Sequence, residues 1–152
     1  MTAIVKNIPA GHELLITRFF KAPRTLVYKA WTDKEMALRW SGPRDYPLVE
    51  SDHDVRPGGA WRGCLRGADG VDLWQGGTYR EVVPNEKLVF TFGWDTDKGT
   101  SQGEMLVTIT FADKDGGTEM VFLQQGFVET KDRDGHRGGW NSAFDRLAET
   151  VA

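Results

Sequence analysis

The feature that most constrains the fold is a series of strand-like segments, separated by turns and followed by one helical segment. Apolar residues occupy every second position in residues 88–94, 105–111 and 120–122, which is the period of a strand with one buried face. The sequence DKDGG at 113–117 separates two of these segments and is typical of a hairpin turn. In residues 140–151 the apolar positions recur every three or four residues instead, which predicts an amphipathic helix of about 14 residues.

The segment before this series predicts one strand and two short helices. Residues 14–20 (LLITRFF) predict the strand, and Pro23 favours the start of a helix over residues 23–31. Residues 32–35 (TDKE) match a capping box, so a second short helix is predicted to begin there.

Two further strands are predicted, one within residues 54–66, with a bulge or bend at 56–59 (RPGG), and one at residues 71–83. A turn at 68–70 (ADG) joins them. The helices therefore flank a run of strands and do not alternate with them, which predicts an antiparallel sheet and an α+β fold. A chain of 152 residues fits one domain spanning residues 1–152.

Composition and charge exclude several classes of function. The net charge of −3 gives no basic bias, so nucleic-acid binding is not predicted. No stretch approaches the roughly 18 apolar residues that a membrane span requires, and no signal peptide is predicted. Cys64 is the only cysteine, so an internal disulfide is excluded and a cytoplasmic location is predicted. The 6 Trp and 18 Gly suit either an aromatic-lined cavity or a large ordinary core.

Several segments, taken in order, resemble one protein family. They are 22–23 (AP), 27–33 (VYKAWTD), 39–43 (RWSGP), 54–62 (DVRPGGAWR), 77–92 (GTYREVVPNEKLVFTF), 107–111 (VTITF), 117–120 (GTEM), 126–127 (GF) and 139–140 (GW). Together they are similar to the homologues of the activator of heat-shock protein 90 ATPase, within the START-like (SRPBCC, birch-pollen-allergen-like) superfamily.

This resemblance implies a helix-grip fold, in which a curved antiparallel sheet wraps a long C-terminal helix and two short helices follow the first strand. Members of the superfamily often bind apolar molecules between the sheet and that helix, and they serve as carriers, receptors, cyclases or chaperone cofactors. Relatives often have a histidine at the position of Gln124, so no histidine-dependent chemistry is predicted there.

Strand parity predicts which side chains form the wall between the sheet and the last helix. The strands contribute Trp61, Tyr79, Phe90, Phe92, Met105, Val107, Ile109, Met120, Phe122 and Gln124, and the helix contributes Trp140, Phe144 and Leu147. These residues form either the wall of a ligand cavity or a filled core. Gln124, Tyr79, Trp61 and Trp74 carry hydrogen-bond donors, which are predicted to orient a ligand or to form internal hydrogen bonds.

The polar candidates are fewer. Arg56, Arg62 and Glu81 are predicted to form either an ion pair near the cavity mouth or structural contacts. His12, His53 and His136 fall in predicted loops without metal-ligand spacing.

Two local interpretations stay open. His53, between two aspartates, is either a general base or a surface residue. Residues 131–139 (KDRDGHRGG) form either a mobile lid or a solvated connector. No catalytic residue, metal or cofactor is predicted.

Three functional hypotheses follow. The first is a non-enzymatic domain that binds a small hydrophobic or amphipathic molecule. The second is a protein-interaction module with a chaperone or another protein as partner. The third is an enzyme of the cyclase or hydrolase type. An exposed edge strand also makes a homodimer plausible.

Overall fold

The computed structural model describes residues 12–95 and 104–152, which form one antiparallel sheet and three helices. In chain order the elements are β1 (Glu13–Phe20), α1 (Arg24–Thr32), α2 (Lys34–Trp40), β2 (Leu48–His53), β3 (Ala60–Arg66), β4 (Asp72–Val83), β5 (Lys87–Asp95), β6 (Met105–Lys114), β7 (Gly117–Gln125) and α3 (Thr130–Val151).

The strands lie in the order β1-β7-β6-β5-β4-β3-β2, and every neighbouring pair is antiparallel. Strands β2 to β7 follow one another as hairpins, whereas β1 pairs with the last strand, β7. The helices α1 and α2 therefore carry the chain from one edge of the sheet to the other. The α+β helix-grip architecture predicted from the sequence is confirmed.

The two short helices begin close to the predicted positions. Pro23 is the N-cap of α1, and its carbonyl accepts from the backbone N–H of Leu26 at 2.9 Å. Asp33 caps α2, because its carboxylate accepts from the backbone N–H of Met36 at 3.1 Å. Thr32 instead ends α1, so the capping interaction begins one residue later than the sequence predicted.

Two elements differ from the prediction. Strand β2 (Leu48–His53) was missed, because its sequence LVESDH does not alternate clearly. It forms by pairing with β3, with Ser51 opposite Gly63. Helix α3 is 22 residues long and begins at Thr130, so the segment predicted as a lid or connector is its first part.

The core lies between the concave face of the sheet and the three helices. Trp31 of α1 lies at its centre, with ring centroids 4.7 Å from Trp40 and 6.0 Å from Phe144. Trp40 is fully buried, and its indole N–H donates to the carbonyl of Ala30 at 2.8 Å. None of the helices formed by residues 12–95 and 104–152 has the length and apolar character needed to cross a membrane.

Candidate ligand-binding site

Two adjoining cavities interrupt this core on the side of β2 to β5. The larger cavity, about 170 Å³ in volume, lies between α3 and the strands β4 and β5. The smaller cavity, about 60 Å³, lies between α2 and the strands β2 to β5. Ser41, Gln75 and Trp140 line both cavities, so the two spaces share one boundary.

A stripe of small residues on α3 makes room for the larger cavity. Gly135, Gly139 and Ala143 are spaced four residues apart and all line it, because residues at that spacing share one face of a helix. Phe92 and Trp94 of β5 form the opposite wall. The space therefore exists because this stripe of the helix carries no side chain larger than a methyl group, whereas the neighbouring His136 and Trp140 do pack against Phe92.

Aromatic side chains also line the smaller cavity. The ring of Trp61 lies 5.4 Å from that of Phe90 in an edge-to-face contact. The indole N–H of Trp61 donates to the carbonyl of Thr91 at 2.9 Å, so this donor is already paired within the protein. Tyr79 is buried, and its hydroxyl forms no hydrogen bond with the described residues. Burial raises the pKa of Tyr79, which keeps the phenol neutral.

His136 lies on α3 and lines the larger cavity, so its predicted position in a loop is wrong. Its Nε2 accepts from the indole N–H of Trp94 at 3.1 Å, which places the proton of the neutral ring on Nδ1. The ring also packs against Phe92 and Phe127, with centroids 5.7 and 5.0 Å away. Burial lowers the pKa of His136 to about 4, despite the opposing effect of Asp132.

His53 ends strand β2 and is half-buried, so its prediction as a loop residue is also wrong. Its Nε2 lies 2.9 Å from the carbonyl oxygen of Thr32 and donates to it. The side chain lines the smaller cavity, and burial lowers the pKa of its imidazole. His12 lies outside both cavities, with Nδ1 2.8 Å from the carbonyl oxygen of Phe127.

The predicted wall residues divide into two groups. Trp61, Tyr79 and Phe90 line the smaller cavity, Phe92 lines the larger one, and Trp140 lines both. The other eight line neither cavity and lie buried in the core: Met105, Val107, Ile109, Met120, Phe122, Gln124, Phe144 and Leu147. A ligand-binding role for any of the thirteen stays a prediction.

Gln124 has its hydrogen bonds inside the protein. Its Oε1 accepts from the indole N–H of Trp140 at 2.8 Å, and its Nε2 lies 3.6 Å from the sulfur of Met105. The side chain is fully buried. Gln124 therefore positions Trp140, whose ring forms the shared boundary of the two cavities.

The charged residues predicted near the cavity mouth have separate partners. Arg56 pairs with Asp54 at 2.8 Å, and Lys87 pairs with Glu81 at 3.3 Å.

The guanidinium carbon of Arg62 lies 4.7 Å from the ring centroid of Trp74. Trp74 neighbours Gln75 on β4, so its side chain lies on the opposite face of the sheet.

Three polar residues that line the cavities were not predicted from the sequence: Gln75, Ser51 and Ser41. A signal for Gln75 was present in the sequence. It shares the parity of Tyr79 on β4, which was already assigned to the inward face. Ser51 could not be assigned because its strand was not predicted.

An antiparallel sheet that wraps a long C-terminal helix, with aromatic-lined cavities beside that helix, defines a helix-grip domain of the START-like type. Residues 21–152 match the family described as "Activator of Hsp90 ATPase homolog 1-like protein". The chain belongs to this family, as its sequence motifs predicted.

Solved structures share the fold. The protein CV1439 of Chromobacterium violaceum is 28% identical, with a TM-score of 0.85 over 92% of this chain and 96% of that one. NE0264 of Nitrosomonas europaea is 21% identical, with a TM-score of 0.80 over 95% and 96%. The AHSA1 protein of Silicibacter pomeroyi is 22% identical, with a TM-score of 0.79 over 90% and 95%. No curated protein matches the chain.

Proposed function

We propose that this protein binds a small apolar or amphipathic molecule in the two cavities beside α3. The observation that carries the proposal is the larger cavity, a partly open space of about 170 Å³ lined by the rings of Phe92, Trp94 and Trp140. Protein interiors are normally close-packed, and an apolar cavity of about 150 Å³ is enough to hold benzene. A space of this size, walled by rings, suits the apolar part of a small ligand.

The test compares two leucine variants of α3. Gly139 lines the larger cavity, and a Cβ there would meet only the Pro43 side chain, at 3.5 Å. Gly138 is exposed, and a Cβ there would meet nothing within 4 Å. Gly139→Leu fills the cavity, whereas Gly138→Leu gives the same gain in helix propensity without filling it.

Ethylbenzene is a suitable probe, and binding is followed by amide chemical shifts in NMR titrations. We expect the wild type and Gly138→Leu to bind it with similar affinity, and Gly139→Leu to bind at least about tenfold more weakly, since one lost ring site is worth more than about 1.4 kcal/mol. Absence of any shift around Trp94 and Trp140 in the wild type would contradict the proposal. Equal binding by both variants would do the same.

A protein-interaction role is a second candidate, supported by the outer face of β1. Leu15 and Phe19 are 61% and 47% exposed and lie on the same side of this edge strand. Apolar side chains that lie together on one exposed face, and not singly, are the feature that marks protein contact surfaces. The family description refers to activation of a chaperone ATPase, so we propose such a chaperone as the partner.

The measurement is the ATPase rate of an Hsp90-type chaperone with this protein in excess. We expect stimulation by the wild type, loss of stimulation in the double variant Leu15→Asp/Phe19→Asp, and full stimulation by Val71→Asp. Val71 is a matched control because it is 51% exposed but lies beside β4, far from β1 in the sheet order. An unchanged ATPase rate at high excess would exclude this candidate.

The other sequence-based hypotheses have less support. No carboxylate lines either cavity in the described part of the chain, so a carboxylate-based mechanism for a cyclase or hydrolase has no support there. A homodimer through a sheet edge and a cytoplasmic location stay predictions.

A further inference from the structure

A row of three residues crosses the floor of the smaller cavity. Ser51 of β2 pairs with Gly63 of β3, and Gly63 pairs with Gln75 of β4. All three line this cavity, so their inner sides face the same space. Adjacent strands lie about 4.8 Å apart, so the two polar residues stand about 10 Å apart with no side chain between them. We call this row the polar notch.

The glycine keeps the notch open. A Cβ on Gly63 would come within 2.9 Å of the Leu48 side chain and 3.9 Å of the Gln75 amide nitrogen. The Gln75 amide therefore extends over Gly63 towards Ser51. Any larger residue at position 63 would fill the gap that separates the two polar groups.

Both polar side chains of the notch are buried, since Gln75 and Ser51 are each only 8% exposed. Neither the Gln75 amide nor the Ser51 hydroxyl has a hydrogen-bond partner among the described residues, and both remain accessible from the cavity, since the fully enclosed unpaired side-chain atoms of the described residues are Thr108 Oγ1 and Gln125 Oε1. Buried amides and hydroxyls are nearly always hydrogen-bonded, because leaving them unpaired costs free energy. Gln124, the inward amide on β7, follows that rule. The two polar groups of the notch therefore have hydrogen-bonding capacity that a ligand could satisfy.

No charged side chain of the described lining residues points into the notch. His53 and His136 are the titratable imidazoles of the two cavities, and both are neutral near pH 7 because burial lowers the pKa of each. Arg62 is the one permanently charged residue among the described lining residues, and its guanidinium lies against Trp74 on the outer face. A buried charge needs a paired charge, and no described residue supplies one to the notch.

We propose that the ligand carries one uncharged hydrogen-bonding group, a carbonyl or hydroxyl, which Gln75 and Ser51 bind in the polar notch. Its apolar ring or chain then lies in the larger cavity, which Gln75 also lines. The smaller cavity, of about 60 Å³, has room for such a group but not for a second ring. The inference rests on the proposed function and assigns Gln75 as the residue that selects a neutral polar group.

The experiment uses a pair of probes with the same shape. Acetophenone has a carbonyl where α-methylstyrene has a methylene group, so only the first accepts a hydrogen bond. Dissociation constants for both are measured by NMR titration with the wild type and with Gln75→Met. Because each probe is compared between two proteins, its transfer from water cancels in the ratio.

We expect Gln75→Met to weaken acetophenone binding about fivefold, the effect of one neutral hydrogen bond, and to leave α-methylstyrene unchanged. Ser51→Ala should show the same selectivity and provides a second variant if Gln75→Met folds poorly. Gln125→Met is the matched control, since Gln125 is buried on the outer side of β7 and lines neither cavity. Benzoate, a flat molecule of similar size with a charge, should not bind at pH 7.

Equal losses for both probes, or benzoate binding as tight as that of acetophenone, would overturn the polar notch while leaving the cavity proposal intact. Failure of both neutral probes to bind the wild type would refute the proposed function itself. The two failures are therefore distinct.

Discussion

Replacing His136 with glutamine should change how the stability of the protein depends on pH. Burial lowers the pKa of His136 to about 4, from 6.5. One unit of pKa corresponds to about 1.36 kcal/mol, so protonating this side chain in the folded state costs about 3 kcal/mol. In the variant His136→Gln, the new amide retains an oxygen that accepts from the indole N–H of Trp94, and it cannot titrate.

Whether the protein gains or loses stability as the pH falls depends on which state, folded or unfolded, binds the proton first. Above pH 6.5, His136 is neutral in both states and contributes nothing to the pH dependence. Below pH 6.5 the unfolded chain binds the proton first, so the free energy of unfolding falls until the folded state also binds it near pH 4. At pH 5 the loss should be about 2 kcal/mol.

Urea unfolding of the wild type and His136→Gln at several values between pH 7.5 and pH 4.5 measures this effect. Other groups titrate in both proteins, so the quantity of interest is the difference between the two free energies. We expect the wild type to lose about 2 kcal/mol relative to His136→Gln between pH 7 and pH 5. The reasoning would be refuted if the free energies of unfolding of the two proteins changed in parallel with pH. An imidazole NMR titration of His136 with a midpoint near 6.5 would refute it as well.

Three further substitutions test contacts at the two ends of α2 and between β4 and β5. The loss of stability in each variant is measured by urea unfolding. Asp33→Ala removes the carboxylate that accepts from Met36 and should cost about 1 kcal/mol; Asp33→Asn should restore most of it. Arg146→Ala removes three hydrogen bonds to carbonyls at the end of α2 and should cost about 2 kcal/mol. Gly77→Ala would place a Cβ against the carbonyl of Thr91 and should cost about 3 kcal/mol. A loss below about 0.5 kcal/mol in any of the three would contradict the contact concerned.

The hairpins were predictable because alternation and turn residues are local signals. Strands β5, β6 and β7 each carry a clear period of two, and Asp115 and Gly116 adopt the positive φ values that a tight turn needs. Strand β2 carries no such local signal. It forms because its backbone pairs with β3. The start of α3 was missed because its glycines and charges resemble a loop, whereas His136 holds this part of the helix against Trp94.

The site was predictable only in part, for a related reason. Parity identified Trp61, Tyr79 and Phe90 as inward-facing, and all three line the smaller cavity. Parity could not distinguish a filled region from an open one, because that depends on the size of the side chains that α3 places opposite the strands. Beneath Phe144 the space is filled, whereas beneath Gly139 it is open.

The glycines of α3 also have a consequence for how the interior exchanges with solvent. The first ten residues of the helix contain Gly135, Gly138 and Gly139, and the N-cap Glu129 makes no capping hydrogen bond with its side chain. Each glycine lowers helix stability by about 1 kcal/mol relative to alanine, so this half should open without unfolding the rest. We expect its amide hydrogens to exchange much faster than those of residues 143–151, and a molecule held in the larger cavity to slow that exchange.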